Sequence, residues 1–423
     1  MIGVLTLTPG GQAASLGNDT SVWQRVSCVT CPPTWLADIL SNIMLFLPLG
    51  AALVMAGVAP VRAIMLGAAA SFVIELLQLA GLPAGREPAL ADLVSNTIGA
   101  AIGVGCARYR STLLTPIART ESMLRLGWVA ACTSMMLGSA LALSPATRLR
   151  TNGAVSTSAL PFTPGYGWST TETSDAIING VAVPHEGNGP VIVAASRRDS
   201  VSASVRVRGR DGRAGVVPIV FVHDPAMTTI DPRATVAHLL LAQRGADASL
   251  SSDLRAGRWG LSTPSLLDRG AFAAGYAGVA LRATVTSRIW TLAWSDADTP
   301  QQAQSVSLRL SPSIGWTLVQ GVVSATAPIA PLLTALWLLA WFAPLGFWSS
   351  AGSRDPLTSA VSRAVLAALL ILAFGFASAQ LTGTSPLSFA ESGWCVLATF
   401  VGSFARRFLD FGRPHASKAL QQR

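Results

Sequence analysis

Charge is what this 423-residue sequence has least of: Asp, Glu, Lys and Arg together make up 12 %, against 51 % hydrophobic residues. Soluble chains carry about 25 % charged residues, and the deficit here is concentrated in a few long stretches, the mark of a membrane-embedded chain. Lysine is almost missing. All but one of the 30 basic residues are Arg, the exception being Lys418. No long basic run with interleaved aromatics accompanies the net charge of +9, which argues against a nucleic-acid partner. Five cysteines are too few for a disulfide scaffold. Cys28 and Cys31 form a C-x-x-C without the second pair that a zinc site needs. Cys106, Cys132 and Cys395 lie in apolar segments, where they read as small hydrophobes. His185, His223 and His238 lack metal-ligand spacing, and nothing calls for a cofactor.

What is present is a series of apolar spans at about 38–57, 62–82, 90–107, 126–145, 325–348 and 361–381, with a shorter one near 391–405. Most approach the ~20 residues that cross the hydrocarbon core as a helix. Arg108, Arg110, Arg119 and Arg125 crowd one connection, Arg354 and Arg363 flank another, and Arg406, Arg407, Arg413, Lys418 and Arg423 follow the last span. Counting crossings puts these clusters and Arg62 on one side, which positive-inside bias assigns to the cytoplasm. Residues 146–322 then lie outside the cytoplasm. Met1 to Leu7 is apolar but short, without a basic leader region, and reads as the end of a helix rather than a signal peptide.

Between about Ala146 and Gly321 the texture changes. Short β-rich runs alternate with Gly, Asp and Pro: Val191–Val193, Val201–Val207, Val216–Val222, Leu239–Leu241, Val279–Val285, Ile289–Trp294 and Val306–Leu310. Such a pattern predicts an antiparallel β-sandwich. The order of features, with Ile192–Ala195 and Val201–Arg206 as an early strand pair, then His238–Arg244, then Ile289–Trp294, resembles the concanavalin-like (laminin-G-like) jelly-roll family. Members often bind carbohydrate, sometimes with calcium, so the resemblance implies a glycan-binding lobe. Asp224, Asp231, Asp296 and Asp298 are available acids, but no complete calcium loop surrounds them, and solvated loop carboxylates are the better reading. Paired acids for glycoside hydrolysis are not evident.

The most informative stretch is Asp38 to Gly103. Polar side chains inside a span are costly, so each needs a reason. Asp38 and Asn42 share one helix face, and Phe46-Leu47-Pro48-Leu49-Gly50 follows. Ser71, Glu75 and Gln78 share a face of the next span, and Asp92 and Asn96 repeat the i, i+4 spacing in the third. Arg86 lies in the intervening loop, within reach of Glu75 or Asp92. The small-xxx-small motifs Gly67–Ser71 and Gly99–Gly103 predict that the Glu75 and Asn96 helices pack as a hairpin. Two accounts stay open for the cluster: hydrogen bonds that fix the hairpin, or an outward-facing site for a lipid-linked or envelope ligand.

The ordered set Asp38, Asn42, Phe46-Leu47-Pro48-Leu49-Gly50, Glu75, Gln78, Arg86, Asp92, Asn96, Gly99 and Gly103 resembles the VanZ-like family of bacterial membrane proteins. Leu5-Thr6-Leu7-Thr8-Pro9 also looks like that family's end of a first helix. The family is named for low-level resistance to a glycopeptide antibiotic, and its molecular activity is not established. The resemblance implies a place in the cell envelope and does not imply an enzyme. Further along, Ala377-Ser378-Ala379-Gln380-Leu381 and Glu391-Ser392-Gly393-Trp394 echo the Gln78–Asp92 hairpin.

The expectation is a polytopic α-helical membrane protein with an inserted all-β extracytoplasmic sandwich. Residues 1–145 form the VanZ-like helical region, 146–322 the sandwich, 323–405 further transmembrane helices and 406–423 a basic cytoplasmic tail. Its expected surroundings are the bacterial cytoplasmic membrane, its lipid, and a cell-wall glycan or lipid-linked precursor. A membrane enzyme working on such a precursor, or a transporter, is the alternative. Against the first stands the lack of a nucleophile–base pair or metal cluster. Against the second stand the apolar inner halves of the spans.

Overall fold

The computed structural model describes residues 34–80, 82, 88–146, 152–156, 172–182, 191–194, 200–208, 216–223, 237–272, 278–296, 303–321, 323–349 and 357–411. Among the described residues there are seven long helices: α1 (Trp35–Met55), α2 (Pro60–Leu79), α3 (Leu90–Arg108), α4 (Ala118–Ala142), α5 (Ala330–Ser349), α6 (Leu357–Thr382) and α7 (Phe389–Phe411). Six helical stretches, those of α1 to α6, are long and apolar enough to cross a membrane. Their exposed surface is greasy where a soluble protein's would be polar, with Met65, Phe72, Leu366 and Phe376 all exposed. The protein is thus a multi-pass membrane protein.

Helix packing falls into two groups. The strong contacts of α1, α2 and α3 are with one another, and those of α4 to α7 are likewise internal. Glycine sets how closely the helices approach. A Cβ on Gly50 would overlap the Ala100 carbonyl, and one on Gly103 would overlap the Leu47 carbonyl. In the other group a Cβ on Gly346 would strike the Thr399 carbonyl, and one on Gly402 the Ala343 carbonyl. In both cases two backbones lie in direct contact, which only glycine permits. Gly99 likewise abuts Ile43. Gly99 and Gly103 therefore press on α1, while the α2–α3 hairpin closes through Gly67 against Ala100.

Between α4 and α5 the chain builds two six-stranded antiparallel sheets, a β-sandwich inserted in the helical protein. One has the order β4-β1-β6-β7-β8-β9: β4 (Val191–Ala194), β1 (Asn152–Ser156), β6 (Val216–His223), β7 (Ala237–Arg244), β8 (Asp247–Ser251) and β9 (Leu266–Asp268). The other is β12-β11-β10-β5-β2-β3: β12 (Gln304–Arg309), β11 (Ile289–Asp296), β10 (Gly278–Thr286), β5 (Ser200–Arg208), β2 (Glu172–Ile178) and β3 (Val181–Ala182). Alternating residues of both sheets, among them Val205, Ile219, Leu241, Leu250, Leu281 and Trp290, meet in one core. The early strand pair expected from sequence divides instead: β4 pairs with β1, whereas β5 pairs with β2 and β10 in the opposite sheet. Two adjacent runs with alternating patterns suit a hairpin or a crossover equally well, and here the chain crosses.

The lobe is seated on one end of the bundle by many short bonds. The Leu36 and Ala37 amides both donate to the Gly260 carbonyl, at 2.8 and 3.0 Å, and the Ser41 hydroxyl donates to the Val319 carbonyl at 2.7 Å. Gly260 has φ +69°, and a Cβ there would overlap the Trp35 indole, so both conformation and contact demand glycine. The Trp316 indole donates to Thr334 at 3.0 Å, and the Ser385 hydroxyl donates to the Arg288 carbonyl at 2.9 Å. At the other end of the bundle lie the basic connections. There Arg406 donates to the Leu114 carbonyl, and the Trp348 indole to that of Leu113 at 3.0 Å.

Candidate functional site

The expected site residues fall on the three helices of the first group. Helix α2 presents Ser71, Glu75 and Gln78 along one face. Helix α3 answers with Asp92, Ser95 and Asn96. The Asn96 amide nitrogen donates to the Ser71 hydroxyl at 2.9 Å, deep between the helices, where Ser71 is 0 % and Asn96 2 % exposed. One turn toward the lobe-proximal end, Glu75 Oε2 accepts the Ala89 backbone N–H at 2.8 Å. That bond satisfies a donor at the start of α3, where a carboxylate also complements the helix dipole.

Two polar atoms in this cluster have no partner. Gln78 Oε1 and Asn96 Oδ1 are both fully buried and accept no hydrogen bond. Turning the Asn96 amide over exchanges a missing donor for a missing acceptor, so one end remains unmet either way. A buried polar group left unpaired costs about 1–3 kcal/mol. In this orientation the cluster holds two buried acceptors without donors.

The remaining expected residues lie nearby or beyond description. Asp38 is exposed at the lobe-proximal end of α1, where the Thr34 hydroxyl donates to it at 3.1 Å. Asn42 is half-buried one turn further along. Asp92 is half-buried near the start of α3. Arg86, expected to neutralise Glu75 or Asp92, lies outside the described residues, as do Asp224, Asp231 and Asp298 of the lobe. Among described residues no group of three or more His, Cys, Asp and Glu is placed to hold a metal ion.

Comparison with known proteins addresses this unit alone. Residues 3–114 match the VanZ/LLP1 family. The VanZ/LLP1 region thus spans α1, α2 and α3 and every candidate site residue, and it ends before α4 and the sandwich. No curated protein and no solved structure matches the chain.

Sequence reasoning passed over two features here. Ser71 was visible on the polar face, but its partnership with Asn96 depends on how α2 and α3 pack. In the sequence Glu391 stands out only as an echo of the earlier hairpin. It accepts the Ser313 hydroxyl at 2.5 Å and the Ser388 amide at 2.6 Å, while its own amide donates to the Ser388 hydroxyl at 3.2 Å. Ser388-x-x-Glu391 is a capping box, and that signal was legible in the sequence.

Proposed function

We propose that this VanZ/LLP1-region membrane protein works in the bacterial cell envelope, and that its α2–α3 cluster binds the donor-bearing headgroup of an envelope amphiphile. The supporting observation is the pair of buried acceptors without donors, Gln78 Oε1 and Asn96 Oδ1. A ligand carrying N–H or O–H groups, such as an amine- or hydroxyl-bearing lipid or a lipid-linked precursor, supplies what they lack. Glu75 and Asp92 add negative character that favours an ammonium group. The apolar flanks of α2 and α3 suit the ligand's hydrocarbon part.

In this reading the basic end of the bundle faces the cytoplasm, following positive-inside bias. The cluster and the β lobe then both face outward. The lobe is read as an exported platform for an envelope glycan or protein, on the strength of its sequence resemblance alone. Binding rather than catalysis is favoured, because the described residues of the cluster include no nucleophile–base pair.

The test uses headgroups that differ only in their donors. Phosphatidylethanolamine has ammonium N–H groups, and phosphatidylcholine has none. Full-length protein released from mixed nanodiscs is expected to retain the ethanolamine lipid preferentially in native mass spectra, and Gln78→Leu with Asn96→Leu to lose that preference. Equal retention of both lipids by the wild type would reject a donor-seeking site.

A further inference from the structure

Helices α5, α6 and α7 repeat α1, α2 and α3 position by position. Phe46-Leu47-Pro48-Leu49-Gly50 in α1 has its counterpart in Phe342-Ala343-Pro344-Leu345-Gly346 of α5. In both helices the phenylalanine is 0 % exposed, the proline lies inside the helix, and the glycine meets a partner backbone. The partners correspond as well. Gly50 faces Ala100 and Gly346 faces Thr399; Gly103 faces Leu47 and Ala51, and Gly402 faces Ala343 and Phe347. These four contacts obey one register, in which α1 pairs with α5 and α3 with α7.

The same register holds along the whole third helix. Asn96, Gly99, Ala100, Gly103, Val104 and Ala107 are buried in α3, and Cys395, Ala398, Thr399, Gly402, Ser403 and Arg406 are buried in α7. Asp92 matches Glu391, and Arg108 matches Arg407. In the middle helices, Arg62-Ala63 aligns with Arg363-Ala364, and buried Gly67, Ile74 and Gln78 fall on buried Ala368, Gly375 and Ala379. The sequence Leu141-Ala142-Leu143-Ser144-Pro145 at the end of α4 likewise matches Leu5-Thr6-Leu7-Thr8-Pro9. Chance similarity of apolar helices does not reproduce specific glycine-to-carbonyl contacts in the same register.

We infer that the chain holds the VanZ/LLP1 helical unit twice, the β lobe being inserted in the second copy, and that only the first copy retains the ligand site. The polar cluster is erased in the second. Asn42 becomes Leu338, Ser71 becomes Leu372, Gln78 becomes Ala379 and Asn96 becomes Cys395. Leu338 and Cys395 are fully buried members of an apolar core with Cys132, Met135 and Met136 of α4, and Leu372 packs against it. The outer acid alone survives, as Glu391, and there it clasps Ser313 of the lobe.

The second copy is a built-in control for the first. It achieves the same glycine-to-backbone packing without one amide in the cluster, so those contacts do not depend on Gln78 or Asn96. Asn96 still gives its amide nitrogen to Ser71, but Asn96 Oδ1 and Gln78 Oε1 gain no partner from the packing, and a ligand supplies the reason to retain them. The ligand half of this inference rests on the reading proposed above; the duplication does not.

The test converts the first copy to the second copy's residues in the full-length chain: Asn42→Leu, Gln78→Ala and Asn96→Cys together. The variant is expected to insert normally, with a thermal midpoint within about 3 °C of wild type, and to lose its preference for phosphatidylethanolamine over phosphatidylcholine in nanodiscs. A fall of about 10 °C or more, or aggregation of the triple variant and of both singles Gln78→Ala and Asn96→Cys, overturns the inference, because the cluster would then be structural. Should the triple variant alone aggregate, the singles decide by the same criterion. Full stability with unchanged lipid preference removes the ligand reading while leaving the duplication standing.

Discussion

Ser313 and Glu391 meet at 2.5 Å across the joint between the β lobe and the helices, although 78 residues separate them in sequence. Glu391 caps the start of α7 through Ser388 and holds the lobe's 3-10 turn, Pro312–Leu318, through Ser313. One carboxylate thus couples helix capping to domain seating. Glu391→Gln and Ser313→Ala are each expected to raise amide hydrogen exchange in Pro312–Leu318 and Ser385–Glu391 by about tenfold, the factor corresponding to a charge-assisted bond of roughly 1.4 kcal/mol. Protection equal to wild type in both variants would show that the joint does not depend on this bond.

The backbone contacts of the two helical groups give a second expectation. Gly103→Leu and Gly402→Leu each place side-chain atoms where a carbonyl oxygen already sits. Both should abolish the monodisperse folded protein in detergent, whereas Gly105→Leu, with open space around the new Cβ, should leave it intact. Size-exclusion profiles of the three variants decide this. Overpacking commonly costs about 1–3 kcal/mol, and backbone overlap belongs at or beyond the upper end.

Gly260 ties the lobe to α1 by accepting two amides beside the Trp35 indole. Gly260→Ala combines a positive φ with a steric overlap, so it should loosen the seat at that edge. Limited proteolysis is expected to cleave near Trp35 several times faster in the variant, at a cost of about 1–2 kcal/mol for the strained conformation. Gly245→Ala, which also has positive φ but open surroundings, separates strain from contact.

How far this arrangement could be read from sequence varies with the physics behind each part. Apolar length announced α1 to α6, because crossing hydrocarbon demands a long run with little charge. The strands rich in Val and Ile, β5, β6, β10 and β11, stood out for the same kind of reason. Strands β1, β2 and β8 did not: Asp247-Ala248-Ser249-Leu250-Ser251 buries only Ala248 and Leu250, too short an alternation to distinguish from a loop. The polar residues of α2 and α3 were conspicuous individually, since each is costly in a span. Which of them lacks a partner depends on how the helices pack, and the sequence does not carry that. The pairing of Gly103 with Leu47, and of Gly402 with Ala343, is also a product of packing; once visible, it turns two loosely similar hairpins into one repeated unit.

The lobe carries a pH signature of its own. Burial pushes the Asp268 carboxyl above its ordinary value, Asp247 adds to the shift, and Trp294 opposes it. Asp268 Oδ2 is buried without a hydrogen bond, and so is the Trp294 indole nitrogen, which places the two close but out of bonding geometry. Burial also raises Asp253, against the pull of Arg258. A raised carboxyl means that the folded lobe binds the proton more tightly than the unfolded chain. Stability then falls as pH rises from the unfolded value through the folded one, and the loss is complete above it. Asp268→Asn is expected to raise the thermal midpoint at neutral pH and to lose that advantage near about pH 4, the ordinary carboxylate range. A midpoint shift independent of pH would place the effect in packing instead.

The central claim is that a single ligand site lies among α1, α2 and α3 and that its duplicate among α5, α6 and α7 is blank. Photo-crosslinking measures this directly. A phosphatidylethanolamine carrying a diazirine near its headgroup, irradiated with the full-length protein in nanodiscs and mapped by peptide mass spectrometry, should label Ser71–Asn96 and lose that labelling in Asn96→Leu. Labelling spread equally over the corresponding stretch of α6 and α7, or unchanged in the variant, would contradict the account.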